Sequence, residues 1–271
     1  MPKLLFWIAL LAAGTGLTGC FKCPEPTLRQ EERGLVCVFP GIGGGAWYLD
    51  QAYRAFRDAG VDSAIIIPEW DTPFYTALKH LQDYEANRAH AARVAEQIVT
   101  YRQRHPAPPI DLVGYSAGGG IAVMVAEALP EDIHLRRVVL VQSAVSPTYD
   151  LDPLLRRVDG ELINLYSPLD WFVLGWGTNT FGTVDRAHTE SAGKIGFDLQ
   201  RAAADETLRL KVVQHSWTAN MIWAGHFGNH ASILGYAWNR KYVAPYLLPD
   251  GAATACGHGR VSSSTSASVS R

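Results

Sequence analysis

A serine with a glycine two residues to either side, in Gly114-Tyr115-Ser116-Ala117-Gly118, joins two segments of opposite character. Before it, Ile110-Asp111-Leu112-Val113-Gly114 is a short apolar run of the length of a buried strand. After it, residues 117–129 are small and apolar, run for a helical length, and stop before Pro130. A strand that passes directly into a helix must turn sharply. Gly114 and Gly118 lack side chains, so the helix and neighbouring strands can approach that turn closely. The junction therefore predicts a strand–turn–helix unit with the serine at its tip.

The rest of the chain repeats this alternation. Apolar runs of strand length occur at 35–39, 63–67, 137–142, 162–166 and 208–213, and helical stretches at 46–59, 83–104 and about 238–246. The second apolar run is stopped by Pro68, and the long helix ends at His105-Pro106. Apolar runs separated by helices imply an α/β fold with a mostly parallel sheet of about six strands and helices on both faces. The chain has 271 residues, enough for one large domain. That domain is expected over residues 34–250. The Ser-rich tail from Gly251 to Arg271 is low in complexity and is expected to be disordered. A net charge of −2 without a basic stripe speaks against a nucleic-acid partner.

The N-terminus has a separate logic. Lys3 precedes the apolar run Leu4–Ala13 and a stretch of small residues, the layout of a secretory signal. The exit reads Leu17-Thr18-Gly19-Cys20, which resembles the lipobox of bacterial lipoproteins. The resemblance implies removal of residues 1–19 and a lipid on Cys20. Residues 20–33 would then be a tether, and the protein would lie in the cell envelope with the membrane as a partner. Cys37 falls in an apolar strand and reads as a core residue. Cys23 and Cys256 flank the domain and are a candidate pair in an oxidising compartment. No Cys or His grouping has zinc-site spacing, so neither a metal nor an organic cofactor is expected.

A serine hydroxyl is a poor nucleophile and needs a base beside it. With its strand–turn–helix context, the Ser116 pentapeptide resembles the nucleophile turn of the α/β-hydrolase family. The resemblance covers roughly residues 34–248 and implies a three-layer α/β-hydrolase fold. It also implies a triad in the order Ser, acid, His. The acid belongs after the second strand beyond the serine, where Ser167-Pro168-Leu169-Asp170 supplies Asp170. Asp185 is the alternative, with Arg186 beside it as a structural ion-pair partner. The histidine belongs after the last strand, where Gly225-His226-Phe227-Gly228-Asn229-His230 offers two candidates. His230, directly before the last helical region, is preferred over His226. His215, in or at the end of the sixth strand, reads as structural.

The family also implies two backbone donors for a developing oxyanion. One is Ala117. The other comes from Pro40-Gly41-Ile42-Gly43-Gly44-Gly45, with Ile42 first and Gly43 next. Pro40 stands where the family often carries histidine. The loop lacks a phosphate-binding Gly-Lys-Ser/Thr pattern. Trp47, Trp70, Phe74, Tyr75, Trp171, Phe172 and Trp176 follow strand ends and are candidates for an apolar acyl pocket, or for ordinary loop packing. The resemblance implies a serine hydrolase acting on small-molecule or lipid esters. The alternatives are a non-catalytic envelope binding protein with the same fold, and the same triad used for thioester, amide or acyl-transfer chemistry.

Overall fold

The computed structural model describes residues 21–42, 45–68, 83–170, 183, 185 and 189–249. The candidate lipid-bearing Cys20, Gly43, Arg186, Cys256 and the aromatics Trp70, Phe74, Tyr75, Trp171, Phe172 and Trp176 lie outside the described residues.

Six strands form one parallel sheet: β1 (Leu35–Phe39), β2 (Ala64–Ile66), β3 (Ile110–Tyr115), β4 (Leu135–Val141), β5 (Val158–Tyr166) and β6 (Val212–Ser216). Their spatial order is β2-β1-β3-β4-β5-β6. The order reverses between β1 and β3, so the loops leaving these two strands diverge and open a crevice at their carboxyl ends. Ser116 leaves β3 at that crevice, and the glycine-rich loop leaves β1 beside it.

Alternation along the strands builds the two flanking layers. Leu35, Cys37 and Phe39 of β1 pack with Ile110 and Leu112 of β3 against two helices, α2 (Tyr84–Arg104) and α3 (Ala117–Ala128). Val36, Val38, Val113 and Tyr115 face the other way, toward α1 (Asp50–Asp58) and the C-terminal turns around Trp238 and Val243. Covered on both faces, β1 and β3 are wholly buried, which is why they read as continuous apolar runs. Asp83 caps α2, its Oδ1 accepting from the Ala86 amide at 3.1 Å.

The structure differs from the sequence expectations in three places. The last strand begins at Val212, because Asp205 caps a helical turn, Glu206–Arg209, at 2.8 Å from the Thr207 amide. The expected helix at 46–59 is broken at Leu49 into a 3-10 turn and α1. The closing helix is three successive short turns of different pitch, with Pro245 inside the last of them. Residues 21–33 run along the domain. Phe21 lies 5.5 Å from the Tyr53 ring, Cys23 Sγ reaches the Ile65 carbonyl at 3.5 Å, and the Tyr101 hydroxyl donates to the Glu31 carbonyl at 2.6 Å.

The lower end of the sheet holds one buried ion pair. Arg136 Nε donates to Asp111 Oδ1 at 2.9 Å, and Nη2 meets Oδ2. Its remaining donors reach the carbonyls of Leu247 at 2.9 Å and Leu248 at 3.0 Å, tying the C-terminal turns to β3 and β4. Asp111 is 1% exposed, so without Arg136 a carboxylate would stay buried without its guanidinium partner. Arg136→Met is expected to cost about 3–5 kcal/mol of stability, read from urea unfolding. An unchanged midpoint would contradict this role for the pair.

Candidate active site

Ser116 has φ 55° and ψ −122°, a conformation that a non-glycine residue rarely adopts. Strain of this kind costs about 1–3 kcal/mol and persists only where the surroundings enforce it. Here they do. The Ser116 amide donates to the Val141 carbonyl at 3.0 Å, and its carbonyl accepts from Gly119 and Ala144, each at 3.0 Å. A Cβ at Gly114 would lie 2.5 Å from Gly119 Cα, and one at Gly118 would lie 2.3 Å from the Phe39 carbonyl oxygen. The glycine spacing read from the sequence is thus a packing requirement of β1, β3 and α3.

The turn presents the serine hydroxyl to His230. Ser116 Oγ lies 2.8 Å from His230 Nε2, and His230 Nδ1 lies 2.5 Å from Asp170 Oδ2. A carboxylate can only accept, so Nδ1 carries the proton and Nε2 is left to accept from the serine. Three elements converge to make this chain: the end of β3, the loop after β5, and the loop after β6. Asp170 is 2% exposed and closes a turn whose amide donates to the Ser167 carbonyl at 3.1 Å. His230 opens a short 3-10 segment that Asn229 caps through the Ser232 amide at 3.0 Å.

The other candidates lie apart from this chain. His226 is buried, its ring edge-on to Trp238 at 4.7 Å and its Nδ1 2.6 Å from Ser232 Oγ. Burial pushes its pKa down to about 4, Asp170 draws it up, and neighbouring His230 pushes it further down. Asp185 accepts from the Ser146 amide at 3.0 Å and so holds a loop. His215 lies within β6, 6.1 Å from the Tyr246 ring.

Two backbone segments adjoin the serine. The Ala117 amide lies in the first turn of α3, where amides have no intrahelical acceptor. The loop after β1 comes into contact from the opposite side, where a Cβ at Gly41 would lie 3.1 Å from Ser116 Cβ, and Ile42 follows it. Trp47 lies just beyond this loop and is 46% exposed, while Leu169 at 48% and Phe227 at 59% add apolar surface beside the aspartate and histidine loops. The sequence reading singled out neither Leu169 nor Phe227, since single apolar residues in loops carry no pattern. Among the described residues no group of three His, Cys, Asp or Glu is placed to hold a metal ion.

The arrangement is that of a hydroxyl joined to an imidazole, and an imidazole joined to a buried carboxylate. Chemically it can abstract the hydroxyl proton as the oxygen attacks an electrophilic carbon. A family model for the alpha/beta hydrolase fold matches residues 35–167, from β1 to the start of the aspartate loop. With the parallel sheet, this match shows an α/β-hydrolase fold. No curated protein matches the sequence. Among solved structures, the chain is similar to a putative cell surface hydrolase from Lactobacillus plantarum WCFS1, with a TM-score of 0.46, 12% identity, and coverage of 84% of this chain and 97% of that one. It is also similar to a cutinase-like protein from Cryptococcus sp., with a TM-score of 0.40, 14% identity, and coverage of 79% and 95%. A lipase-esterase related protein from Clostridium acetobutylicum ATCC 824 gives a TM-score of 0.40 and 11% identity, over 81% and 96%.

The buried His226 generates a prediction about pH. Its ordinary value of 6.5 in the unfolded chain lies above its folded value of about 4. Between these values the unfolded chain holds more protons, so stability falls as pH falls. The melting temperature is therefore expected to drop from pH 7 to pH 4, and His226→Gln to flatten that drop. A variant with the wild-type slope would rule out His226 as its source.

Proposed function

We propose that the protein is a serine hydrolase that cleaves carboxylic esters through an acyl-enzyme. The observation that carries this reading is the unbroken chain from Ser116 Oγ through His230 to Asp170. In the first step Ser116 Oγ attacks the ester carbonyl while its proton passes to His230 Nε2. Asp170 holds the imidazole in the required tautomer and stabilises it once protonated. The carbonyl oxygen, now negative, accepts from the Ala117 and Ile42 amides. Collapse of the tetrahedral species breaks the ester C–O bond, and His230 returns the proton to the departing alkoxide. Water then repeats the sequence against the acyl-serine and regenerates the free enzyme. The exposed Trp47, Leu169 and Phe227 offer an acyl chain apolar contact at the rim.

A labelled fluorophosphonate tests the nucleophile. Folded protein is expected to take up one label at Ser116 and to lose uptake in Ser116→Ala. Unlabelled wild-type protein would favour the non-catalytic binding protein. Hydrolysis of p-nitrophenyl esters tests the base. His230→Ala and Asp170→Asn are each expected to lower turnover by roughly 10⁴-fold, whereas His226→Ala only weakens it. The opposite ranking of the two histidines would reassign the base.

The proposal extends to location. Leu17-Thr18-Gly19-Cys20 supports lipid attachment at Cys20, next to a segment that begins to pack on the domain at Phe21. Cys20→Ser is expected to move the protein from the membrane fraction to the soluble fraction of expressing cells, with turnover per molecule unchanged. A wild-type protein found wholly soluble would remove the anchor.

A further inference from the structure

The three members of the Ser116–His230–Asp170 chain sit on separate elements, and something must hold those elements in register. The carbonyl of Gly228, two residues before His230, accepts two hydrogen bonds. Gln142 Nε2 donates to it at 3.3 Å and Ser167 Oγ at 2.7 Å. Ser167 also accepts the Asp170 amide on its own carbonyl, so one buried residue grips the aspartate turn and the histidine loop together.

Gln142 makes the matching connection to the serine. It follows Val141, whose carbonyl receives the Ser116 amide at 3.0 Å, and it precedes Ala144, whose amide donates to the Ser116 carbonyl at 3.0 Å. The segment 141–144 therefore grips the serine turn by its backbone while the Gln142 side chain reaches the histidine loop. Gln142 is 1% exposed and has φ 42°. Ser116 and Gln142 are the non-glycine residues with positive φ among the described residues. A buried glutamine gains nothing from that backbone state by itself. The state does aim its amide across the end of the sheet, and the side chain's Oε1 finds no partner among the described residues. Among the described residues its side chain makes one hydrogen bond, the one to Gly228.

We propose that Gln142 is a positioning residue that, together with Ser167, sets the distance between Ser116 Oγ and His230 Nε2 through the Gly228 carbonyl. This rests on the serine hydrolase reading. Without the Gln142 amide the Gly228 carbonyl keeps one donor, Ser167 Oγ, and the His230 end of the loop can rock about that bond. Misplacement of the base affects the chemical step more than substrate binding, because proton transfer depends steeply on geometry.

The test compares wild type, Gln142→Met, Ser167→Ala and the double variant in p-nitrophenyl ester hydrolysis, fluorophosphonate labelling and thermal unfolding. Methionine keeps the length and lacks the donor. Gln142→Met is expected to lower kcat by roughly 10- to 100-fold with KM within about twofold, in protein that is folded at the assay temperature. Ser116 should still be labelled, but more slowly. Because both donors serve one carbonyl, the double variant should lose more than the product of the single effects. A wild-type kcat in Gln142→Met would overturn the proposal, and so would a loss that merely tracks the folded fraction. Failure of wild-type protein to label would instead overturn the hydrolase reading and this inference with it.

Discussion

The close approach of β1, β3 and α3 around the Ser116 turn is the constraint on which the rest of the site depends. A strand entering a helix without an intervening loop forces the residue between them into a left-handed backbone state. That state is tolerated because glycines at 114 and 118 let backbone meet backbone, and because three backbone hydrogen bonds hold the serine from β4 and from its own helix. The sheet's reversal of order between β1 and β3 then sets the serine turn where the loops leaving these two strands diverge. Sheet topology and local strain thus act on one atom: the first puts the hydroxyl at the switch in strand order, and the second turns it toward His230.

Electrostatics completes the arrangement. Two histidines four residues apart experience opposite surroundings. His230 stands between a hydroxyl and a buried carboxylate, so both ring nitrogens have work that differs in kind. His226 is enclosed by Trp238 and the Ser232 hydroxyl, and burial keeps it neutral well into the acid range. A ring that refuses protons suits the packing behind the site. A ring held between a hydroxyl and a carboxylate suits the site itself.

Much of this was legible in the residues. The five-residue serine turn, the apolar runs and the helix stops led to a six-stranded α/β sheet, and β3 to β5 fall close to where those runs lie. Asp170 was reachable because a strand end is visible in sequence and its loop is short. The two histidines could not be separated with the same certainty, since loop conformation, not periodicity, decides which ring faces the serine. Gln142 was hidden for a related reason. It reads as the last residue of an apolar run, and neither its positive φ nor its reach to Gly228 leaves a trace in composition. The late start of β6 was missed because Leu208 and Leu210 look like strand residues, while the capping bond of Asp205 turns the chain into a helical turn first.

The Arg136 side chain binds the carbonyls of Leu247 and Leu248 from the far end of the sheet, while the same C-terminal stretch carries His230 at the near end. The serine turn and the aspartate loop belong to the first 170 residues, but the imidazole that joins them comes from the stretch that docks last along the chain. During synthesis the Ser116 turn can therefore be folded and packed while no imidazole faces it. The linkage is completed only when residues 212–248 lie down on the sheet, where apolar packing around Trp238 and Val243 and the guanidinium at the opposite end hold them.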